Sequence, residues 1–594
     1  MFKKPITLEH ALYALAFAIA IGLRFFHLGA LPLSDYEADW ALQSLGIVTG
    51  LKPALGPNPA YIHLTAILFA IFGASDFLAR FWPALAGTGL VLAPWFVRGR
   101  LGRLPALVLA VGLALDPGLN ALSRLAGGPI LAIACLALTL VLWLDGRRAA
   151  AGLFAGLALL SGPSVWFGIV GLLLAWAVLH LLPSLIRKGA GGAALSRRAE
   201  PVEALSKGEV QPDETGAGAG AGSVRSQGLK VALAWGLGTL FVVGSLLVFS
   251  MQGLAAFAKS LLEFLSGWVT LSDLPLGRVF LTLPAYELLP LAFGLAALVR
   301  GFIKRDAVSI RLSLWALAAL LLALIYVGRQ TSDLAWAILP LWALAATEIG
   351  RHFDFSGVNR WVAGGTFLFT FILLILFWLT LAGITIYDPL SVEVRLQWAF
   401  LGGILLVIVI AILLVGSGWT VNEARLGGVW GTLIPLLLFT LAMATGAAGV
   451  REPRTLELWN PEPRLGRADL VLKVANEISS LNTGYDAQLP LTIVGMDSPA
   501  LRWLFRDWQV EEAEVFAPDA TPELVITPFG MDLTLTAEYR GEPLVWREVG
   551  DWYNATFANW LNWFIYRQMP VLREDIILWV RADLMLDNQG LPTP

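Results

Sequence analysis

The sequence predicts a polytopic α-helical membrane protein, with about 13 transmembrane helices and a small C-terminal α/β or α+β domain. Three observations predict it. Hydrophobic residues make up 57% of the 594 and charged residues 14%, where soluble domains carry about 25% charge. Apolar stretches long enough to cross a hydrocarbon core of ~30 Å recur along the first three quarters of the chain. From about Arg451 the pattern changes to short helix-like and strand-like segments.

The elements follow in order. A first helix covers 8–27. Arg24, Phe25, Phe26 and His27 stand where signal cleavage needs small residues, so this helix is read as retained. An outer loop follows over 28–78. Within it, 62–74 is apolar but too short to span and reads as a helix at the outer interface. Further spans lie near 79–97, 104–122, 128–144, 149–162 and 165–183, with Gly162-Pro163 dividing the last two. Residues 1–188 thus form an N-terminal membrane core. Residues 189–229, rich in Gly, Ala, Ser and charge, read as a flexible cytoplasmic linker with no apolar stripe.

Residues 230–449 form a second helix group, with spans near 230–250, 283–301, 310–328, 334–350, 361–386, 396–416 and 428–449. Residues 450–594 read as a soluble domain. Helices are expected at 467–481, 498–508 and 560–567, and strands at 489–494, 523–527, 544–549 and 576–581. Lys3, Lys4, Arg98, Arg100, Arg103, Arg147, Arg148, Lys304 and Arg305 fall on one side of this arrangement. The positive-inside rule then places the N-terminus in the cytoplasm, and an odd span count places the C-terminal domain outside.

Composition excludes several classes. A net charge of −3 offers no global field for nucleic acid. One cysteine and five scattered histidines give neither an intramolecular disulfide nor a metal-ligand spacing. No glycine-rich nucleotide loop is present, and no cofactor is expected.

The chemistry-bearing segment is Ser34-Asp35-Tyr36-Glu37-Ala38-Asp39-Trp40, where the first helix leaves the membrane. Ser34 or Asp35 can cap a helix from about Tyr36, on which Asp35 and Asp39 share a face and Glu37 lies on another. Such acids suit a general base for a hydroxyl, a cation ligand, or a solvated helix start. Arg80, Arg124 and Arg329 are outer-side arginines near helix ends. Their forked donors suit phosphate, and they equally suit interfacial snorkelling, helix capping or, for Arg329, pairing with Asp333.

The order of these pieces resembles the C-type membrane glycosyltransferases, which include protein O-mannosyltransferases and aminoarabinose transferases. The resemblance runs over about 8–180. It rests on Glu37-Ala38-Asp39-Trp40-Ala41, Asn58-Pro59-Ala60-Tyr61 through Ile71-Phe72-Gly73, Ala79-Arg80-Phe81, Arg98 to Gly102, and Asp116-Pro117 through Ser123-Arg124. Two positions depart from the family pattern. Tyr36 stands where the first acid of an Asp-Glu pair is usual, and Asn58-Pro59-Ala60 replaces a Pro-Pro.

The resemblance implies inverting transfer of a sugar from a polyprenyl-phosphate donor to a hydroxyl of an extracytoplasmic lipid, glycan or protein. It implies Glu37 as base, with Asp35 assisting or substituting, and Arg80, Arg124 and Arg329 on the donor phosphate. Two other functions stay open: a transporter or flippase of lipid-linked glycans, and a catalytically inactive scaffold presenting the outer domain. A sugar-transfer assay separates the first from the transporter, and carboxylate substitution separates it from the scaffold.

Overall fold

The computed structural model describes residues 7–190 and 217–585, apart from 273, 389–390, 451–455, 461, 516–519 and 532–535. Side chains within 182–190 and 217–225 are outside the description. Most of the linker expected at 189–229 therefore lies outside the described residues. Its last part, from Ala217, is helical.

The chain begins with α1 (Leu8–Phe25). Two helices of the first loop follow, α2 (Asp35–Val48) and α3 (Pro59–Phe72). Next come α4 (Asp76–Leu90), α5 (Ala93–Leu101), α6 (Arg103–Leu115), α7 (Pro117–Ser123), α8 (Ile130–Leu144), α9 (Arg148–Leu159) and α10 (Ser164–Ala190). The second group comprises α11 (Ala217–Gly244), α12 (Gln252–Ser266), α13 (Leu276–Tyr286), α14 (Leu288–Lys304), α15 (Ala307–Ile325), α16 (Ala335–Gly350), α17 (Arg360–Ile384), α18 (Val392–Gly418) and α19 (Val421–Ala447).

Among the described residues, nine helices are long and apolar enough to cross a membrane, or eleven if each of two bent pairs is one span. The bends are 54° between α6 and α7 and 88° between α13 and α14. Pro117 opens α7, where its missing N–H is no loss, and the Asp116 side chain caps that helix through Leu119 N–H at 2.6 Å. The spans expected at 128–144 and 149–162 fall on α8 and α9, of 15 and 12 residues. At 1.5 Å per residue these reach only about 20 Å. Leu406, Leu413 and Leu379 on α17 and α18 are exposed, as side chains facing lipid are. In contrast α16 is buried on nearly every side, from Ala335 to Ala346.

The sequence gives no apolar window between 250 and 283, yet α12 forms there. Its buried positions are Gly253, Ala256, Ser260 and Phe264, while Leu261, Leu262 and Leu265 are exposed. The small and polar face packs inward and the leucines face out. That inverts the pattern by which a soluble helix is recognised.

The C-terminal domain contains α20 (Ala468–Thr483), α21 (Pro499–Leu504) and α22 (Phe557–Tyr566) around a six-stranded sheet. Its strands are β1 (Arg464–Leu465), β2 (Leu491–Val494), β3 (Val510–Ala513), β4 (Leu524–Pro528), β5 (Tyr539–Gly550) and β6 (Val571–Arg581), in spatial order β1-β5-β6-β4-β2-β3. β2 pairs in parallel with β3 and β4, and the remaining pairings are antiparallel. The parallel strand β2 is buried at all four positions, as expected for a strand covered on both faces. Each helix and strand expected from the sequence in this domain is present. The short strands β1 and β3 are not among those expected.

Candidate active site

The acidic segment forms the start of α2. Ser34 is the N-cap and Glu37 closes a capping box, with Ser34 N–H donating to Glu37 Oε2 at 3.2 Å. The three acids then diverge. Glu37 is buried and forms a two-point ion pair with Arg80, Nε to Oε1 at 2.7 Å and Nη2 to Oε2 at 2.6 Å. Ala126 N–H also donates to Glu37 Oε1, at 3.0 Å. The other Arg80 donors go to the carbonyls of Leu28, Leu31 and Pro32. Glu37 thus accepts four hydrogen bonds, and all five Arg80 donors are committed.

Asp35 turns toward the C-terminal sheet domain. It accepts from Ser498 Oγ at 2.5 Å, Ala500 N–H at 3.1 Å, and Arg547 through Nε at 2.9 Å and Nη2 at 2.5 Å. The docking continues next to it: Trp503 Nε1 donates to Asp76 at 2.6 Å, and its ring lies 5.7 Å from that of Phe69. Asp39 is exposed and, among the described residues, accepts only from Gln43, at 2.9 Å. Partial burial pushes its carboxyl up, against the Gln43 hydrogen bond.

Arg124 caps the end of α1, donating to the carbonyls of Leu23, Arg24, Phe26 and His27 at 2.8–3.2 Å. Burial, with the like charge of Arg80, holds its guanidinium down at about 10. Of the residues that the resemblance implies on substrate, Glu37, Arg80 and Arg124 are thus bonded within the first loop and to the end of α1, and Asp35 to the C-terminal domain. Arg329 differs. Among the described residues its Nη1 makes one long contact, 3.4 Å to Tyr326 O, and its Nε is buried without a partner. The pairing with Asp333 weighed from the sequence is not formed.

A cavity of about 370 Å³ lies behind α2, where the helix ends gather. Tyr36 and Trp40 enter from α2 and Asn58 from the start of α3. Ser161 to Ser164 come from the α9–α10 turn, Glu263 from the end of α12, and Gln330, Ser332 and Asp333 from the turn before α16. Gly127 closes one wall. Its carbonyl accepts from Tyr36 Oη and Asn58 Nδ2, both at 3.2 Å. A Cβ there would stand 2.3 Å from Trp40, and its φ of +70° also favours glycine. Burial raises the Tyr36 phenol, and burial raises Glu263 against the pull of Lys259. The departure at Tyr36 thus puts a phenol in the cavity wall, and the carboxylates there are Glu263 and Asp333. The sequence named neither as a site residue. Glu263 sits on the unrecognised α12, and Asp333 reads locally as a cap of its own turn.

Beside the cavity, an apolar groove of about 650 Å³ runs between α3, α4, α9 and α11, lined by Leu64, Trp82, Leu157, Trp235, Gly238 and Val242. The same α3 and α9 that flank this groove lead at one end into the cavity wall.

No family model and no curated protein matches the chain. Solved structures do. ArnT from Cupriavidus metallidurans bound to undecaprenyl phosphate matches over 99% of both chains at a TM-score of 0.52 and 15% identity. The apo form of the same protein matches over 99% of this chain and 100% of that chain at 0.53 and 15%. The apo oligosaccharyltransferase of Archaeoglobus fulgidus matches over 86% of this chain and 65% of that one, at 0.42 and 13%. With helices and sheet domain aligned to ArnT over nearly its whole length, this chain has the C-type membrane glycosyltransferase fold.

Proposed function

We propose that the chain is a membrane glycosyltransferase that takes a sugar from a polyprenyl-phosphate donor, with inversion, to a hydroxyl of an extracytoplasmic lipid, glycan or protein. The observation that carries this reading is the polar cavity behind α2, in a fold shared with a protein seen bound to undecaprenyl phosphate. Its wall offers hydroxyls, an amide and carboxylates, the groups that hold a sugar ring by hydrogen bonds. In the proposed topology the N-terminus is cytoplasmic and the sheet domain lies outside, above the cavity. Arg329, with donors to spare, takes the donor phosphate. Arg80 and Arg124 support this site by holding the first loop in place. The isoprenoid tail lies in the apolar groove between α4 and α11.

The test is a transfer assay on purified protein, using a panel of undecaprenyl-phosphate monosaccharides and the same sugars on a water-soluble ten-carbon prenyl phosphate. Wild-type protein should transfer from at least one of them. Gly238→Trp, at a position with nothing within 4 Å of an added Cβ, fills the groove. It should raise KM for the long donor roughly tenfold, as the loss of one to two buried methylene contacts does, and leave the short donor unchanged. Equal effects on both donors would remove the groove from the account. Binding without transfer, across the panel, would favour the flippase.

A further inference from the structure

The transferase reading leaves open which group takes the proton. We infer that Asp333 is the base for the acceptor hydroxyl, a role that rests on that reading. Asp333 lines the cavity and is 8% exposed. One oxygen, Oδ2, accepts Gln330 N–H at 2.8 Å, which closes a capping box on the short turn Thr331–Leu334 and fixes the side chain. The other oxygen makes no hydrogen bond, and no ion pair involves Asp333, among the described residues. A base needs this arrangement: one anchor for position and one lone pair for the incoming proton.

The competing acids lack it. Each of the four lone-pair sites of Glu37 and of Asp35 is met by a donor. Asp39 lies outside the cavity lining. Glu263 lines the cavity but is an exposed side chain at the end of α12 with no anchoring hydrogen bond among the described residues, so its position is not held.

The step balances as follows. The acceptor O–H gives its proton to the free oxygen of Asp333. The acceptor oxygen forms a bond to the anomeric carbon as the bond from that carbon to the phosphate oxygen breaks. The bonding pair leaves with the polyprenyl phosphate, whose charge Arg329 meets from the same turn. Acid and cation are four residues apart, so one short segment, Gly328 to Asp333, carries both roles.

The experiment uses Asp333→Asn, whose amide oxygen still accepts from Gln330 N–H. Turnover of the sugar donor used by wild type should fall at least ~100-fold. Affinity for undecaprenyl phosphate alone and the melting temperature should stay at wild-type values. Wild-type turnover by Asp333→Asn overturns the assignment, and so does loss of undecaprenyl phosphate binding, which would make Asp333 a binding or framework residue. If the asparagine variant unfolds, Asp333→Glu decides: recovered turnover supports the assignment and none overturns it. A wild-type protein that binds undecaprenyl phosphate but transfers to no acceptor removes the transferase reading, and this assignment with it.

Discussion

Replacing Glu37 by alanine is expected to destabilise the protein by about 3–5 kcal/mol, the usual cost of stranding one member of a buried ion pair. The side chains of Arg80 and Glu37 are 7% and 4% exposed. Without the acid, Arg80 keeps its three carbonyl partners but holds an uncompensated charge, and Ser34 N–H and Ala126 N–H lose their acceptor. Thermal melting in detergent measures the loss. Glu37→Gln should also melt early, because its amide N–H groups would face the Arg80 donors. The double variant Glu37→Gln/Arg80→Met should melt above either single variant, since removing both charges is cheaper than removing one. A Glu37→Gln protein with wild-type melting and little turnover would return Glu37 to the role of base.

The second large effect concerns the seating of the soluble domain. Asp35 and Arg547 are 512 positions apart and about one-fifth exposed. Asp35→Ala should loosen the α21 region, which keeps its Trp503–Asp76 hydrogen bond but whose Ser498 and Ala500 donors lose their common acceptor. Faster hydrogen exchange over 498–504 is the expected sign. Asp35→Ala and Arg547→Ala should be non-additive by about 1–3 kcal/mol, as for residues sharing one hydrogen-bonded network. Strict additivity would mean that the pair carries no coupling and that the domain is held by other contacts, such as the hydrogen bond from Tyr286 Oη to the buried Glu457.

These two results bear on how much was legible in the sequence. Hydropathy located the helices because lipid-facing length is a local property. The cap at Ser34 and the shared face of Asp35 and Asp39 were equally local, set by 3.6-residue periodicity. The partners were not. Arg80 lies 43 positions from Glu37, and nothing in its neighbourhood distinguishes a committed guanidinium from one free for phosphate. Residues 252–266 carry their leucines outward and their small residues inward, so the helix that brings Glu263 to the cavity left no recognisable stripe. Asp333 has the sequence context of a turn cap, which it also is; only the fold places it in the cavity wall.

The most direct test of the account is the structure of the protein with undecaprenyl phosphate bound. The account predicts the phosphate within hydrogen-bond reach of Arg329, at the cavity lined by Tyr36, Asn58 and Asp333, with the isoprenoid chain along Leu64, Trp82 and Gly238. A phosphate seated against Arg80 and Arg124, beside Glu37, would contradict it.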